Sequence, residues 1–262
     1  MDHFLSLPPV MQGLLATTFT YLVTALGASL VLFFKEVRKK PLDIMMGFAA
    51  GVMIAASFWS LLSPAIELAE ELGHNSYITA AIGFCCGGLF IILSDLILSK
   101  VAAWGVRNKR YKKSLMLVGA MTMHNIPEGL AIGVAFGSAA QGISGASVLS
   151  ATMLAFGIGV QNFPEGLCAA IPIRQAGVSR MKSFMVGQCS ALVEPIAGVV
   201  GVLAATSVRA ILPYALTFSA GAMIAVVCSE LIPESFADNK ILASLGVLAG
   251  FSVMMMLDVA LG

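Results

Sequence analysis

The chain has 262 residues, 58% of them hydrophobic and only 11% charged, with a mean hydropathy of +0.93. A soluble fold carries about 25% charged residues and could not cover so much apolar side chain, so the solvent of this chain is lipid. Fifteen Lys and Arg against fourteen Asp and Glu leave a net charge of +1 with no basic face, which excludes nucleic-acid binding as a main role.

In chain order, eight apolar runs follow one another at 10–34, 42–64, 77–99, 114–138, 147–172, 183–206, 210–232 and 241–261. Each is close to the roughly 20 residues that a helix needs to cross a bilayer. The expected fold is an all-α integral membrane protein with eight transmembrane helices in a single domain spanning residues 1–262. No phosphate loop of the GxxxxGK[ST] type occurs, so the chain cannot hydrolyse ATP by itself. The opening MDHFLSLPPV lacks the basic stretch of a cleavable signal peptide, which makes run 1 a permanent span.

Direction follows from the basic residues. Lys35, Arg38, Lys39 and Lys40 follow run 1, and Lys100, Arg107, Lys109, Arg110, Lys112 and Lys113 follow run 3. Arg174, Arg180 and Lys182 follow run 5, Lys240 follows run 7, and Arg209 alone falls on the other side. Basic connections stay in the cytoplasm, so both termini are expected outside, in a plasma membrane of the bacterial inner-membrane kind. Cys85, Cys86, Cys168, Cys189 and Cys228 lie inside apolar runs without repeated spacing; this rules out a disulfide scaffold and reads as small buried packing residues.

Runs 2 and 7 match at an offset of 170 through Phe48/Phe218, Ala50/Ala220, Gly51/Gly221, Met53/Met223, Ile54/Ile224, Ala55/Ala225 and Leu61/Leu231. Runs 3 and 8 match at an offset of 163 through Gly83/Gly246, Gly87/Gly250 and Asp95/Asp258. Run 2 travels outward and run 7 inward, so the units are related by inversion, a recurring construction of secondary transporters with the substrate site at the repeat interface. The small-xxx-small spacings Gly47/Gly51, Gly83/Gly87 and Gly246/Gly250 predict closely packed backbones in runs 2, 3, 7 and 8. Runs 4 and 5 are left to hold the chemistry.

Run 4 contains His124-Asn125-Ile126-Pro127-Glu128-Gly129 and run 5 contains Gln161-Asn162-Phe163-Pro164-Glu165-Gly166, a repeated N-x-P-E-G-L core. Run 6 adds Glu194 and Pro195. A carboxylate at the bilayer centre costs at least about 2.5 kcal/mol, and no Lys or Arg stands near the middle of any span to offset it. The counter-charge must be protons or a metal cation. His124 and Glu128, at i and i+4, share one helix face with Asn125 at its flank, and Gln161, Asn162 and Glu165 repeat the pattern. Pro127, Pro164 and Pro195 can free the carbonyls of Met123, Val160 and Ala191. One imidazole, three carboxylates and three amide oxygens suffice for two carboxylate-bridged divalent ions and suit Zn2+, Fe2+, Mn2+, Co2+ and Cd2+; the scarcity of thiolate argues against Cu(I).

At these residues the chain resembles the ZIP (Zrt/Irt-like) family of divalent metal transporters and is similar to its bacterial GufA-like branch. HNIPEG, QNFPEG and SELIPES (Ser229–Ser235) carry the resemblance, and the eight-span layout extends it over the whole chain. It implies a binuclear site with His124, Gln161, Glu128 and Glu165 around the transported ion, and Asn125, Asn162, Glu194 and the bridging glutamates around a second. It also implies a way in past Met53, Ser60, Glu67 and Asp258, a cytoplasmic exit past Asp95 and Glu230, and an elevator motion of runs 1, 4, 5 and 6 against the other four. The implied cargo is a divalent ion, zinc first and Cd2+, Fe2+, Mn2+ or Co2+ after it, with no organic cofactor and no enzyme activity. The partners are the bilayer and the metal ion, and a homodimer is one possible assembly. Ser229 replaces a frequent His of the family, Asn162 replaces a carboxylate found in some members, and the connection after run 3 has no histidine.

Outside this core, Glu67, Glu70, Glu71 and His74 form a helical face at the outer side, read evenly as a cation-concentrating mouth or a solvated helix end. His3 reads as a terminal bystander. Two other functions compete. A membrane-embedded zinc hydrolase needs two or three His ligands, and only His124 lies in a span. A proton-coupled carrier of an organic solute would use the glutamates as a relay and would work in the presence of chelator.

Overall fold

The computed structural model describes residues 2–34, 39–103, 109–143 and 146–261. All the regular structure among them is helical. The helices are α1 (Asp2–Leu5), α2 (Pro9–Ser29), α3 (Lys39–Ala56), α4 (Ser63–Glu71), α5 (Ser76–Ala103), α6 (Lys109–Ala140), α7 (Val148–Gln175), α8 (Arg180–Cys189), α9 (Val193–Ser207), α10 (Leu212–Val226), α11 (Ile232–Ser235) and α12 (Lys240–Leu261). Of the basic residues used for orientation, Lys35, Arg38 and Arg107 lie outside the described residues.

Local chemistry sets the helix ends. Pro9 starts α2 at the first turn, where its missing N–H is not needed. Ser147 and Ser150 cap each other reciprocally at the start of α7, with Ser150 N donating to Ser147 Oγ at 2.9 Å and Ser147 N donating to Ser150 Oγ at 3.0 Å. Gly73, Gly142 and Gly177 take positive φ angles of 70°, 63° and 95° just beyond α4, α6 and α7, a conformation that side chains with a Cβ rarely adopt.

Six segments are long and apolar enough to cross a membrane: Pro9–Leu32, Lys39–Glu71, Ser76–Leu98, Arg180–Ser207, Arg209–Ser235 and Lys240–Ala260. Helices α6 and α7, of 32 and 28 residues, have the length as well. The His, Asn, Gln and Glu residues of their motifs lower their apolarity, which is why they stand apart from the six. Both run without a break through Pro127 and Pro164. Run 6, expected as one span at 183–206, lies within the single segment Arg180–Ser207, but its helix is not continuous. It is split into α8 and α9 by a turn at residues 190–192, with Pro195 in the first turn of α9 and Asn125 Nδ2 donating to the freed Ser190 carbonyl at 3.0 Å. A discontinuous helix at this depth is tolerated because side chains of the bundle satisfy its loose backbone groups.

Two stretches are wound as π-helical turns, Ser57–Leu62 between α3 and α4 and Val227–Leu231 between α10 and α11. At the repeat offset of 170, Ser57 corresponds to Val227, so the same local distortion recurs in both units. The most extensive pairings are α3 with α12, α5 with α10, α2 with α7 and α6 with α9. The repeat governs the first two. Gly250 packs on the Phe48 carbonyl and Gly87 on that of Phe218; Gly51 packs on the Val247 carbonyl and Gly221 on that of Phe84, leaving no room for a Cβ. Each contact is the repeat image of its partner, so the repeat seen in the sequence also governs this packing. The other two pairs use the same device, with Gly27 against Phe163, Gly166 against Thr24 and Gly133 against Gly198. Between the group α3, α5, α10, α12 and the group α2, α6, α7, α9, the glycine contacts among the described residues are different. Gly157 meets the side chains of Met254 and Val52, and Gly119 meets that of Leu98.

The cysteine reading is corrected. Cys85, Cys86, Cys189 and Cys228 are exposed on the apolar exterior, and only Cys168 is buried. A thiol is apolar enough to face lipid, so burial does not follow from its place in an apolar run.

Candidate metal centre

The repeated N-x-P-E-G motifs bring their polar side chains to the middle of the bundle, where α6 and α7 meet α2 and the start of α9. Glu128, Gln161, Asn162 and Glu194 are fully buried, and His124, Asn125 and Glu165 nearly so. Gln161 Nε2 donates to Glu128 Oε1 at 2.7 Å. Asn162 Nδ2 donates to both oxygens of Glu194, at 3.0 and 3.1 Å, and the Thr20 hydroxyl from α2 donates to Glu194 Oε2. Glu128, Glu165 and Glu194 are thus all buried, and among the described residues no Lys or Arg pairs with any of them.

What is left unpaired defines the chemistry. Glu128 Oε2, Gln161 Oε1, Asn162 Oδ1 and His124 Nε2 are buried without a hydrogen-bond partner among the described residues. Such groups cost about 1–3 kcal/mol each when nothing binds them. Three of the four are acceptor oxygens and the fourth is an imidazole nitrogen, a donor set that suits a divalent cation.

Below the centre, His124 Nε2 stands 3.4 Å from Glu230 Oε1, too long for a firm hydrogen bond. Asp95, His124 and Glu230 offer ligand atoms within 4.8 Å of one another, so the two residues expected at the exit reach the centre through its histidine. His124, Glu165 and Glu230 line a pocket together with Met46, Met121, Cys168 and Glu234, on the side that the sequence reading makes the inner one. A separate pocket of about 100 Å³, on the side read as outer, is lined by Trp59, Ser60, Ser138, Ser150 and Asp258, with Ser60 Oγ donating to Asp258 Oδ1 at 2.6 Å. Met53 is wholly buried in α3 and lines neither pocket, while Glu67 is exposed on α4.

The outer acidic face resolves toward a solvated helix end. Ser63 donates to Glu67 at 3.5 Å, Ser76 donates to Glu70 at 3.0 Å, and Glu71 lies 3.6 Å from Arg209. Its carboxylates are occupied by neighbours and do not converge. Two members of the centre escaped the sequence reading. Thr20 gave no signal, since a threonine in an apolar helix ordinarily bonds its own backbone. Cys168 gave a weak one, standing three residues after Glu165 on the same face of α7.

A multi-pass helical chain whose buried polar centre leaves cation ligands unpaired is built as a membrane protein that handles metal ions. The sequence profile described as ZIP Zinc transporter matches residues 105–258. A protein named Zinc transporter ZIP11 from Xenopus tropicalis is 38% identical, covering 97% of this chain and 98% of its own. The one of the same name from Homo sapiens is 37% identical with the same coverage. Zinc transporter GufA of Myxococcus xanthus is 36% identical, covering 95% of this chain and 99% of its own. The chain belongs to the ZIP family.

Proposed function

We propose that this protein carries divalent transition-metal ions, zinc foremost, across a membrane into the cytoplasm through a binuclear centre. His124, Glu128, Gln161 and Glu165 hold the transported ion, and Asn125, Asn162, Glu194 and the bridging glutamates hold the second. The observation that carries this reading is the set of four buried ligand atoms on α6 and α7, Glu128 Oε2, Gln161 Oε1, Asn162 Oδ1 and His124 Nε2, left without a hydrogen-bond partner among the described residues. The names of the relatives agree with it. Eight spans with both termini outside fit the six apolar segments together with α6 and α7 and the one-sided distribution of Lys and Arg.

Ions enter past Ser60, Met53 and Asp258 with Glu67 at the rim, and leave past Glu230 and Asp95. His124 and Glu165 line the inner pocket, and no ligand of the centre lines the outer one. That contact of His124 and Glu165 with the pocket on the proposed exit side favours an inward-facing arrangement. An elevator motion is favoured because the glycine contacts with neighbouring backbone fall inside the four-helix groups, whereas Gly157 and Gly119, which face the other group, meet side chains alone.

The test is uptake into proteoliposomes. Zn2+, Cd2+, Fe2+, Mn2+ and Co2+ are offered singly under a set pH gradient, with and without chelator. Metal accumulation that chelator abolishes is expected. Transport of an organic solute undiminished by chelator would overturn the reading, and a metal-dependent lipase or protease activity without uptake would favour the hydrolase.

A further inference from the structure

Cys168 Sγ donates to Met46 Sδ at 3.3 Å, a thiol-to-thioether contact between α7 and α3. Both sulfurs line the inner pocket beside Glu165, Glu230 and Glu234, and Cys168 is only 5% exposed. The same pocket receives His124, whose Nε2 is buried and unpartnered. Cys168 follows the ligand Glu165 by three residues on one helix face, so an ion leaving Glu165 toward the inside meets sulfur next. The four other cysteines face the apolar exterior and have no such company.

We propose that Cys168 and Met46 form a sulfur waypoint for the metal between the buried centre and the inner mouth, one that selects thiophilic divalent ions, Zn2+ and Cd2+, over Mn2+. The physical basis is ligand softness. Thiolate and thioether bind Zn2+ and Cd2+ well and contribute little to Mn2+, which prefers oxygen. Coordination displaces the thiol proton, one per metal bound, and the proton leaves with the solvent of the inner pocket. Met46 supplies a second soft atom without charge, which limits the affinity and allows release. The proposal rests on the transport reading above and adds a selectivity element to it.

The experiment starts from a chain with Cys85, Cys86, Cys189 and Cys228 replaced by Ser, so that Cys168 is the remaining thiol. Cd2+ is titrated into the purified protein while the ultraviolet thiolate-to-cadmium charge-transfer band is followed. A band that saturates at about one thiolate per chain is expected, absent in Cys168→Ser and Cys168→Ala and weakened in Met46→Leu. In proteoliposomes the preference for Cd2+ over Mn2+ should fall by about tenfold in either Cys168 variant. Elution of each variant as the same folded species as the parent is the control for folding. Cd2+ binding at the centre with no thiolate band, or unchanged Cd2+/Mn2+ preference in both variants, would overturn the waypoint and leave the transport reading intact. Absence of all metal binding and uptake in the parent would overturn both.

Discussion

The amide of Asn162 offers the sharpest perturbation of the centre. Its Nδ2 lies 3.0 and 3.1 Å from the two oxygens of Glu194, supporting that carboxylate together with the Thr20 hydroxyl. Asn162→Asp replaces a donor by a charged oxygen at nearly the same place. Two unit charges about 3 Å apart repel by about 5 kcal/mol at an effective dielectric of ~20. That is an upper bound on the penalty, because the pair can take up a proton or a cation. The substitution thus turns a self-satisfied Glu194 into a site that demands a positive charge. In chelator the variant should melt below the parent, and Zn2+ should restore the difference. Metal analysis should show a higher ion-to-chain ratio, with the added ion bound at least about tenfold tighter, a gain of about 1.4 kcal/mol. Tighter binding also slows release, so the maximal uptake rate should be equal or lower. Asn162→Ala is the control, since it removes the donor without adding charge. A variant that melts like the parent in chelator and binds no additional ion would refute the placing of Asn162 beside a second metal.

His124→Ala and Glu165→Ala should each lower metal uptake at least about tenfold while the protein elutes as a folded species, because each removes a ligand atom and leaves its neighbours unpaired; near-parental uptake would count against the centre. Metal affinity should fall as the pH drops below neutral, since protons compete with the metal for the buried carboxylates and the deprotonated forms that bind are lost in that direction; a flat affinity profile would count against a carboxylate-held ion. Met46→Cys should bridge spontaneously or through Hg2+ to native Cys168, whose sulfur lies 3.3 Å from that of Met46, and should arrest uptake by tying α3 to α7. A bifunctional thiol reagent joining native Cys85 to Cys228, which line one groove between α5 and α10, should leave uptake intact. Full transport through the first bridge would argue for a static bundle.

The polar centre was legible in the sequence because ionisable residues inside apolar runs are too expensive to occur without a purpose. The same physics obscured the spans that carry it. His124, Asn125 and Glu128 make α6 polar enough to separate it from the six clearly apolar segments, and Gln161, Asn162 and Glu165 do so for α7. The repeat was legible through glycines, since close backbone approach admits no other residue at Gly51, Gly87, Gly221 and Gly250. The pairing of α2 with α7 and α6 with α9 was not, because the small residues of those helices do not say which neighbour they meet. The break between α8 and α9 depends on Asn125 reaching the Ser190 carbonyl, and the π-helical turns depend on winding that hydropathy does not record. Thr20 and Cys168 belong to the centre only by their position in space.

The repeat also relates the two ends of the proposed path. At the offset of 170, Ser60 corresponds to Glu230, and each sits within its π-helical turn; at the offset of 163, Asp95 corresponds to Asp258. Ser60 bonds Asp258 at 2.6 Å, and Glu230 and Asp95 gather with His124. The two ends of the proposed path are thus built from one repeated element, with a hydroxyl at one end where the other has a carboxylate. An inverted pair of gates makes two packings of near-equal energy available to the central helices, which is what alternating access requires. The exchange of Ser for Glu makes the two unequal in charge. Within the proposed cycle a cation meets one carboxylate, Asp258, in the entry pocket and two, Asp95 and Glu230, at the exit, where His124 joins the exit to the centre. An ion released by the centre thus has a more anionic neighbourhood on the exit side than on the entry side, which agrees with the proposed direction of transport.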